Sequence, residues 1–482
     1  MSDMPPEDFR RHAKEVADWI ADYLSGVGSL PVLSKTKPGD VRRALPDSPP
    51  VSGEPFETLM EEFQSLILPG VTHWNHPAFL AYFATTGSGP GILGEMLSAA
   101  LNVNAMVWKT SPAATELEEL ALDWVRELVG LPDTFHGTIN DTASSSSLNA
   151  LAAARDVAFP DVRERGLFGE PVGRIYASEQ AHSSIDKAGV VLGLGLAGVR
   201  RVATDSVFRM LPDSLREAIE ADIAMGVRPV AVVATLGTTS SSSVDPVDQI
   251  ADIAAEFGLW LHVDAAYAGP AAIVPELRHH FLGWERADSV VSNPHKWLFT
   301  PIDCSILYCR RPEQLRRAFS LTPEYLQTAE QGMATNLMDY GVALGRRFRA
   351  LKLWFVLRYF GSEGIAERLR AHCRLAQEFS IWVEREEDWE LVAPVLFSTV
   401  VFRFCPRNCD GEAQDLLNRA ILDRVNETGE AFLSHARLGE RIVIRLSVGN
   451  LRTTEEHTGR AWELLRNAAR SVAADGAEQG DG

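Results

Sequence analysis

Two stretches decide how this chain is read: Leu259-Trp260-Leu261-His262-Val263-Asp264-Ala265-Ala266-Tyr267-Ala268-Gly269 and Asp288-Ser289-Val290-Val291-Ser292-Asn293-Pro294-His295-Lys296-Trp297-Leu298. The first is an apolar run that breaks at an Asp followed by small residues, the pattern of a buried parallel strand delivering a carboxylate at its C-terminal end. The second reads as a neighbouring strand ending in a Pro-containing turn that presents one Lys between His295 and Trp297. A lysine in apolar surroundings has a depressed pKa and attacks aldehydes as a neutral amine. A buried Asp requires a cationic partner, and a protonated pyridine nitrogen is one. Together they point to pyridoxal phosphate, with Lys296 as the Schiff-base lysine and Asp264 holding the ring nitrogen protonated. Taken singly, Lys296 reads as a surface residue after a turn and Asp264 as a helix cap. The ordered pair on consecutive strands, with His295 beside the lysine, favours the cofactor.

Outward from this pair, strands near Ile175–Ser178, Val230–Thr235, Trp260–Val263 and Ser289–Ser292 alternate with helices such as Pro212–Met225 and Pro246–Phe257. That alternation predicts an α/β fold with a mostly parallel sheet covered on both faces. Ligands of such sheets sit at the C-terminal strand ends, where His182, Thr238, Thr239, Asp264 and Lys296 converge. Upstream, polar Ile139-Asn140-Asp141-Thr142-Ala143-Ser144-Ser145-Ser146-Ser147 gives way to an Ala/Leu-rich helix. Its N-terminus suits a phosphate, although an ordinary Ser/Thr cap reads the same way. The apolar spacing predicts an N-terminal hairpin of helices, Pro6–Leu24 and Phe56–Ile67, joined by a Pro/Gly/Ser-rich link. Its apolar stripe is expected to pack on another part of the fold or on a second subunit. Thr72–Phe83 is aromatic-rich and suits a pocket lining. Thr322–Tyr340 reads as a long mobile loop, followed by a helix over Leu344–Tyr359. The expected organisation is an N-terminal helical segment over 1–85, a large cofactor-binding domain over 86–360, a small α+β domain over 361–472 and a disordered tail over 473–482.

Composition excludes several classes. A net charge of -19 argues against nucleic acid or anionic membrane as partner. No run of about 18 apolar residues exists to span a bilayer. The N-terminus is acidic and unlike a signal peptide, so the five cysteines are expected to be reduced cytoplasmic thiols. Cys405 and Cys409 lack a second Cys/His pair at matching spacing, and no metal is expected.

At Asn293-Pro294-His295-Lys296-Trp297 the chain resembles the group II pyridoxal-phosphate-dependent amino acid decarboxylases, most closely their aromatic-L-amino-acid decarboxylase branch. The resemblance runs from the hairpin to the last helix. It is carried also by Ser111-Pro112-Ala113-Ala114-Thr115-Glu116, Asp141-Thr142-Ala143-Ser144, Glu179-Gln180-Ala181-His182, Ala234-Thr235-Leu236-Gly237-Thr238-Thr239, His262-Val263-Asp264-Ala265-Ala266-Tyr267 and Gly345-Arg346-Arg347-Phe348. It implies the type I, aspartate-aminotransferase-like fold and a homodimer with sites at the interface. It implies Lys296 as the cofactor lysine, Asp264 at the pyridine nitrogen, His182 on one ring face and Ala266 on the other. Thr142, Ala143, Ser144, Asn293 and His295 would surround the phosphate, and Thr239 would lie near the ring. The implied reaction is decarboxylation of an L-amino acid to its amine.

Two departures bear on outcome. The family's proton donor is usually a loop Tyr, and counting back without gaps from Leu344-Gly345-Arg346-Arg347 places Leu337 there. Tyr340 supplies the donor only if the loop is shortened after it; otherwise it packs beneath the loop. Relatives lacking that Tyr let oxygen intercept the reaction and release aldehyde, ammonia and peroxide, the alternative outcome here. In the substrate wall Trp74, Tyr82 and Thr85 match the aromatic branch. Asn104 and Met106 replace apolar and aromatic residues, and Ala84 replaces a Pro. The substrate is thus expected to be aromatic, with an acidic or a diamino acid open as alternatives.

Overall fold

The computed structural model describes residues 3–321, 334–407, 409 and 411–480, with side chains to residue 474. The central sheet contains β1 (His136–Asn140), β2 (Gly173–Ser178), β3 (Val199–Val202), β4 (Arg228–Thr235), β5 (Trp260–Asp264), β6 (Ser289–Ser292) and β7 (Ser305–Cys309). Their spatial order is β1-β7-β6-β5-β4-β2-β3. β7 is antiparallel to both neighbours, and every pairing from β6 to β3 is parallel. Side chains alternate across it: Ala231 and Val233 enter the core on one face, Val232 and Ala234 that on the other. The expected strands are all present. β1, β3 and β7 were not foreseen, because Gly137, Thr138 and Asn140 give β1 no apolar run, Arg200 and Arg201 interrupt the short β3, and β7 follows the lysine turn within a few residues.

The second sheet has β8 (Trp389–Leu391), β9 (Thr399–Phe404), β10 (Ser434–Leu438) and β11 (Arg441–Ser447), all antiparallel in the order β10-β11-β9-β8. Phe379, Trp389, Phe402 and Trp462 pack on it in a separate core. One helix, Arg349–Arg385, serves both sheets and turns at Gly361, whose φ of 64° only glycine adopts cheaply. It begins later than the expected Leu344, because Arg346 is held in extended pairing with Asn104 and Ala105. The last helix runs Glu455–Gly480, through most of the tail expected to be disordered. Ala473, Ala474, Ala477 and Glu478 are strong helix formers that extend it. In the N-terminal hairpin, Trp19 meets Phe63 edge-on at 5.0 Å and His12 meets Phe56 at 4.4 Å. Phe9, Leu59 and Ile67 remain exposed. Among the described residues no helix is long and apolar enough to cross a membrane.

Three imidazoles are sealed into this structure. Burial pulls His262, His295 and His372 each down to about 4. All three therefore stay neutral in the folded protein while the unfolded chain takes up protons below about 6.5. Asp245 opposes them, because burial pushes its carboxyl up to about 6 and folding then favours the protonated form. Three such imidazoles outweigh one such carboxyl, so these groups together lower stability as pH falls between about 6 and 4. Denaturant unfolding at pH 7, 6 and 5 checks this; a flat profile would mean that these imidazoles reach water before unfolding.

Candidate active site

The parallel strands deliver their chemistry at one edge. β5 ends on Asp264, and β6 on Ser292, from which Asn293 leads into a single helical turn, Pro294–Trp297. The Asn293 N–H donates to the Ala266 carbonyl (3.2 Å), pinning the lysine turn to the end of β5. A cavity there is lined by Ala143, His182, Ser184, Thr235, Gly237, Thr239, Asp264, Ala266, Tyr267 and Lys296. Burial lowers the Lys296 pKa, Asp264 offsets part of that fall, and Arg445 adds to it. The amine thus has access to its neutral, nucleophilic form. Asp264 is buried, and its Oδ1 accepts only the Ala266 N–H (3.0 Å) among the described residues, leaving Oδ2 for a cation. Gly237 has no room for a side chain: φ is +84° and a Cβ would lie 2.7 Å from that of Ala268.

His182 stands at the mouth of the cavity. Its Nδ1 accepts the Ser184 N–H (3.1 Å) and faces the Ser184 hydroxyl (2.9 Å), which fixes the neutral tautomer with the proton on Nε2. Burial, the largest influence, lowers its pKa, with Asp264 opposing and Lys296 reinforcing the fall. His295 follows the same logic, since its Nδ1 accepts the Cys304 N–H (2.9 Å) and leaves Nε2–H as donor.

The Ala143–Ala158 helix starts at this edge with Thr142 as its N-cap, and no side chain caps its first N–H groups. Its start is braced by Asn149 donating to Asn140 (3.1 Å), Asn140 donating to Ser146 (3.2 Å) and Ser146 meeting Ser305 (2.9 Å). Ser144 is exposed and Thr142 half-buried. The buried Ser292 Oγ, Asn293 Oδ1 and Thr235 Oγ1 have no hydrogen-bond partner among the described residues, and of the three Thr235 lines the cavity.

The sequence-derived set splits. Lys296, Asp264, His182, Thr239, Ala266 and Ala143 line one cavity, with Asn293 and His295 in the lysine turn. Trp74 and Tyr82 form a second group, stacked at 5.9 Å with 16° between planes, while Thr85 lies partly exposed just beyond. Asn104 and Met106 lie elsewhere, on a segment clamped to residues 336–346: Asn104 accepts the Arg346 N–H (2.9 Å), Met106 the Met338 N–H (3.0 Å), and Asn336 the Trp108 N–H (3.2 Å). Tyr340, expected as a catalytic residue, is not among the residues that line the cavity. Its ring packs on His136 at 4.9 Å, at the start of β1, away from the Asn140 end that adjoins the cavity. Burial raises its pKa, and it lies against the core on which the Ala143–Ala158 helix packs. Leu337 is buried. Residues 322–333 of the expected loop lie outside the described residues. Ser184, Tyr267 and Arg445 were not singled out from the sequence; the signal for the last is a charged residue inside the apolar run Ile442-Val443-Ile444-Arg445-Leu446.

An amine that can stay neutral, a carboxylate beside it and an uncapped helix N-terminus answer the aldehyde, ring nitrogen and phosphate of pyridoxal phosphate. The residues present fit that cofactor, and the fold is the type I fold of enzymes that use it. Comparison with known proteins narrows the class. The pyridoxal-dependent decarboxylase conserved domain matches residues 38–405. A tryptophan decarboxylase of Camptotheca acuminata is 40% identical over 477 residues, covering 97% of this chain and 95% of its own. A phenylacetaldehyde synthase of Arabidopsis thaliana is 40% identical over 476 residues, covering 97% and 96%. The crystal structure of Oryza sativa TDC with PLP and tryptamine superposes with a TM-score of 0.95 at 39% identity, covering 98% of this chain and 99% of the other. The chain belongs to the pyridoxal-dependent decarboxylase family and is a pyridoxal-phosphate carboxy-lyase acting on an amino acid.

Proposed function

We propose that the protein converts an aromatic L-amino acid into its amine and CO2, working as a homodimer. The observation that carries the chemistry is the juxtaposition of Lys296, Asp264 and a neutral His182 around one cavity. The aromatic preference is supported by the stacked Trp74–Tyr82 pair and by relatives named for tryptophan and phenylacetaldehyde. The dimer is supported by exposed Leu93, Met96, Leu97 and Leu101 along the Gly89–Leu101 helix, a larger apolar stripe than a monomer usually leaves to water.

When bound, pyridoxal phosphate supplies the electron sink that takes up the pair left at the substrate Cα when CO2 departs. The chain's own residues do the rest. Lys296 would hold the cofactor covalently through its neutral amine. Asp264 keeps a proton on the ring nitrogen. The Ala143 and Ser144 backbone N–H groups, the Asn293 side-chain amide and the His295 Nε2–H would donate to the phosphate, with Thr142 at the helix cap. His182 would lie against one face of the cofactor, with Nε2–H available to orient the substrate carboxylate, and Ala266 against the other.

One observation favours a second reading. Leu337 is buried where the family's phenol donor would fall, and Tyr340 is turned onto His136. Without a phenol to protonate Cα promptly, oxygen and water are the competing co-reactants, giving aldehyde, CO2, ammonia and hydrogen peroxide. Cofactor-loaded protein incubated in air with L-tryptophan, L-tyrosine, L-phenylalanine and L-DOPA separates the two: amine without peroxide supports the first reading, aldehyde with equimolar peroxide the second. Product from none of the four would refute the aromatic assignment. In the same assay Tyr340→Phe is expected to shift the amine-to-peroxide ratio by less than about 2-fold, since its ring packs on His136 and it does not line the cavity. A marked rise in peroxide would restore Tyr340 as the donor.

A further inference from the structure

Three arginines of the described chain are buried: Arg346, Arg403 and Arg445. Arg346 pairs with Glu118 at 2.5 Å, and Arg403 with Asp415 at 3.3 Å. Arg445, 5% exposed, has no carboxylate partner among the described residues. A buried cation without a counter-charge is unfavourable, so its hydrogen bonds are the place to look for its purpose. Nη2 donates to the Tyr82 carbonyl (3.1 Å) and the Ser447 hydroxyl (3.4 Å), and Nη1 to the Ser434 hydroxyl (3.1 Å).

Both groups around Tyr82 therefore meet one device. Its N–H donates to the same Ser434 hydroxyl (3.1 Å), and its carbonyl receives the guanidinium. Tyr82 needs such a hold, because its φ of 49° lies in the left-handed region that aromatic residues rarely adopt. That turn aims the ring parallel to Trp74 and edge-on to Phe432, 5.9 Å from each. The following residue, Phe83, packs instead on Tyr267 (4.4 Å), which lines the cavity. The Tyr267 hydroxyl reaches Thr399 (3.3 Å), Thr399 reaches Ser447 (3.1 Å), and Ser447 returns to Arg445. A chain of hydrogen bonds thus runs from Tyr267, at the cavity, through Thr399, Ser447 and the guanidinium to the Tyr82 carbonyl.

We propose that Arg445 is a specificity-determining positioning residue: it locks Tyr82 in the left-handed conformation that stacks it on Trp74 as the wall for an aromatic substrate side chain. The inference rests on the aromatic decarboxylase reading. Its bare charge has a second consequence, favouring the neutral form of Lys296.

The test is a double-mutant cycle in the holoenzyme, combining Arg445→Met with Tyr82→Ala. It is read in KM for L-tryptophan and L-tyrosine and in the dissociation constant of phenethylamine, measured by tryptophan fluorescence. Arg445→Met is expected to raise KM and the dissociation constant by about 10- to 100-fold, the scale of a lost hydrogen bond to a charged group. In the Tyr82→Ala background it should add less than about 3-fold. Full additivity would overturn the proposal. Arg445→Lys keeps the charge and loses the fork, so it should retain the weakened binding while restoring the pH at which the cofactor absorbance titrates; recovery of KM by Lys would overturn the fork's role. Should Arg445→Met fail to fold, Ser434→Ala removes the shared hydroxyl and is expected to raise KM about 3- to 10-fold; an unchanged KM would overturn the proposal. Failure of the aromatic reading itself is separate: it shows as wild-type protein that makes no product, while phenethylamine binding still reports the Arg445–Tyr82 coupling.

Discussion

Lys296→Ala is expected to bring turnover down by more than about 10³-fold and to abolish cofactor that borohydride can fix to the protein. The residue is partly shielded at the mouth of the lysine turn, and its neighbours on both sides, His295 and Trp297, are fully packed. Truncation therefore leaves the turn in place and removes the amine alone. The readout pairs product formation with mass spectrometry after borohydride reduction. Retained turnover, or cofactor mass still fixed to the protein elsewhere, would dismiss Lys296 as the anchoring amine.

Asp264→Asn is expected to lower turnover by about 10²- to 10³-fold while the protein still binds cofactor, since an amide of the same shape cannot hold a proton on the ring nitrogen. A second effect follows from the site's electrostatics. Asp264 raises the Lys296 pKa against its burial, so losing the carboxylate lowers that pKa further. The cofactor absorbance should then titrate at lower pH than in wild type. Turnover near wild type with an unmoved titration would show that the carboxylate faces something other than the ring.

The strands nearest the site were legible in the sequence because each is an apolar run closed by a polar residue. β4, β5 and β6 are buried on both faces and need no alternation to be recognised. β1 and β7 were not, since they meet antiparallel across a long stretch of intervening chain, Ile139 opposite Ile306 and Asn140 opposite Ser305, a pairing that local pattern does not encode. Site residues at strand ends, Asp264 and Lys296 above all, were legible for the same reason. Tyr340 was open because proximity in the chain to a loop position says nothing about rotamer, and the hydrophobic surface beside His136 decides it. Arg445 was overlooked because a charge in a β-strand reads as solvent-facing, whereas here both sheet faces are covered. The tail, read as disordered from its acidity, is helical to Gly480, in keeping with the helix propensity of its alanines.

The bond between Arg445 and Tyr82 joins positions 363 residues apart. A nascent chain leaving the ribosome therefore carries Trp74 and Tyr82 long before their clamp exists, and nearly the whole polypeptide must be made before the wall can set. β1 waits likewise for β7 to be synthesised. Assembly dominated by such distant pairings is slow, so the aromatic wall sets late in folding.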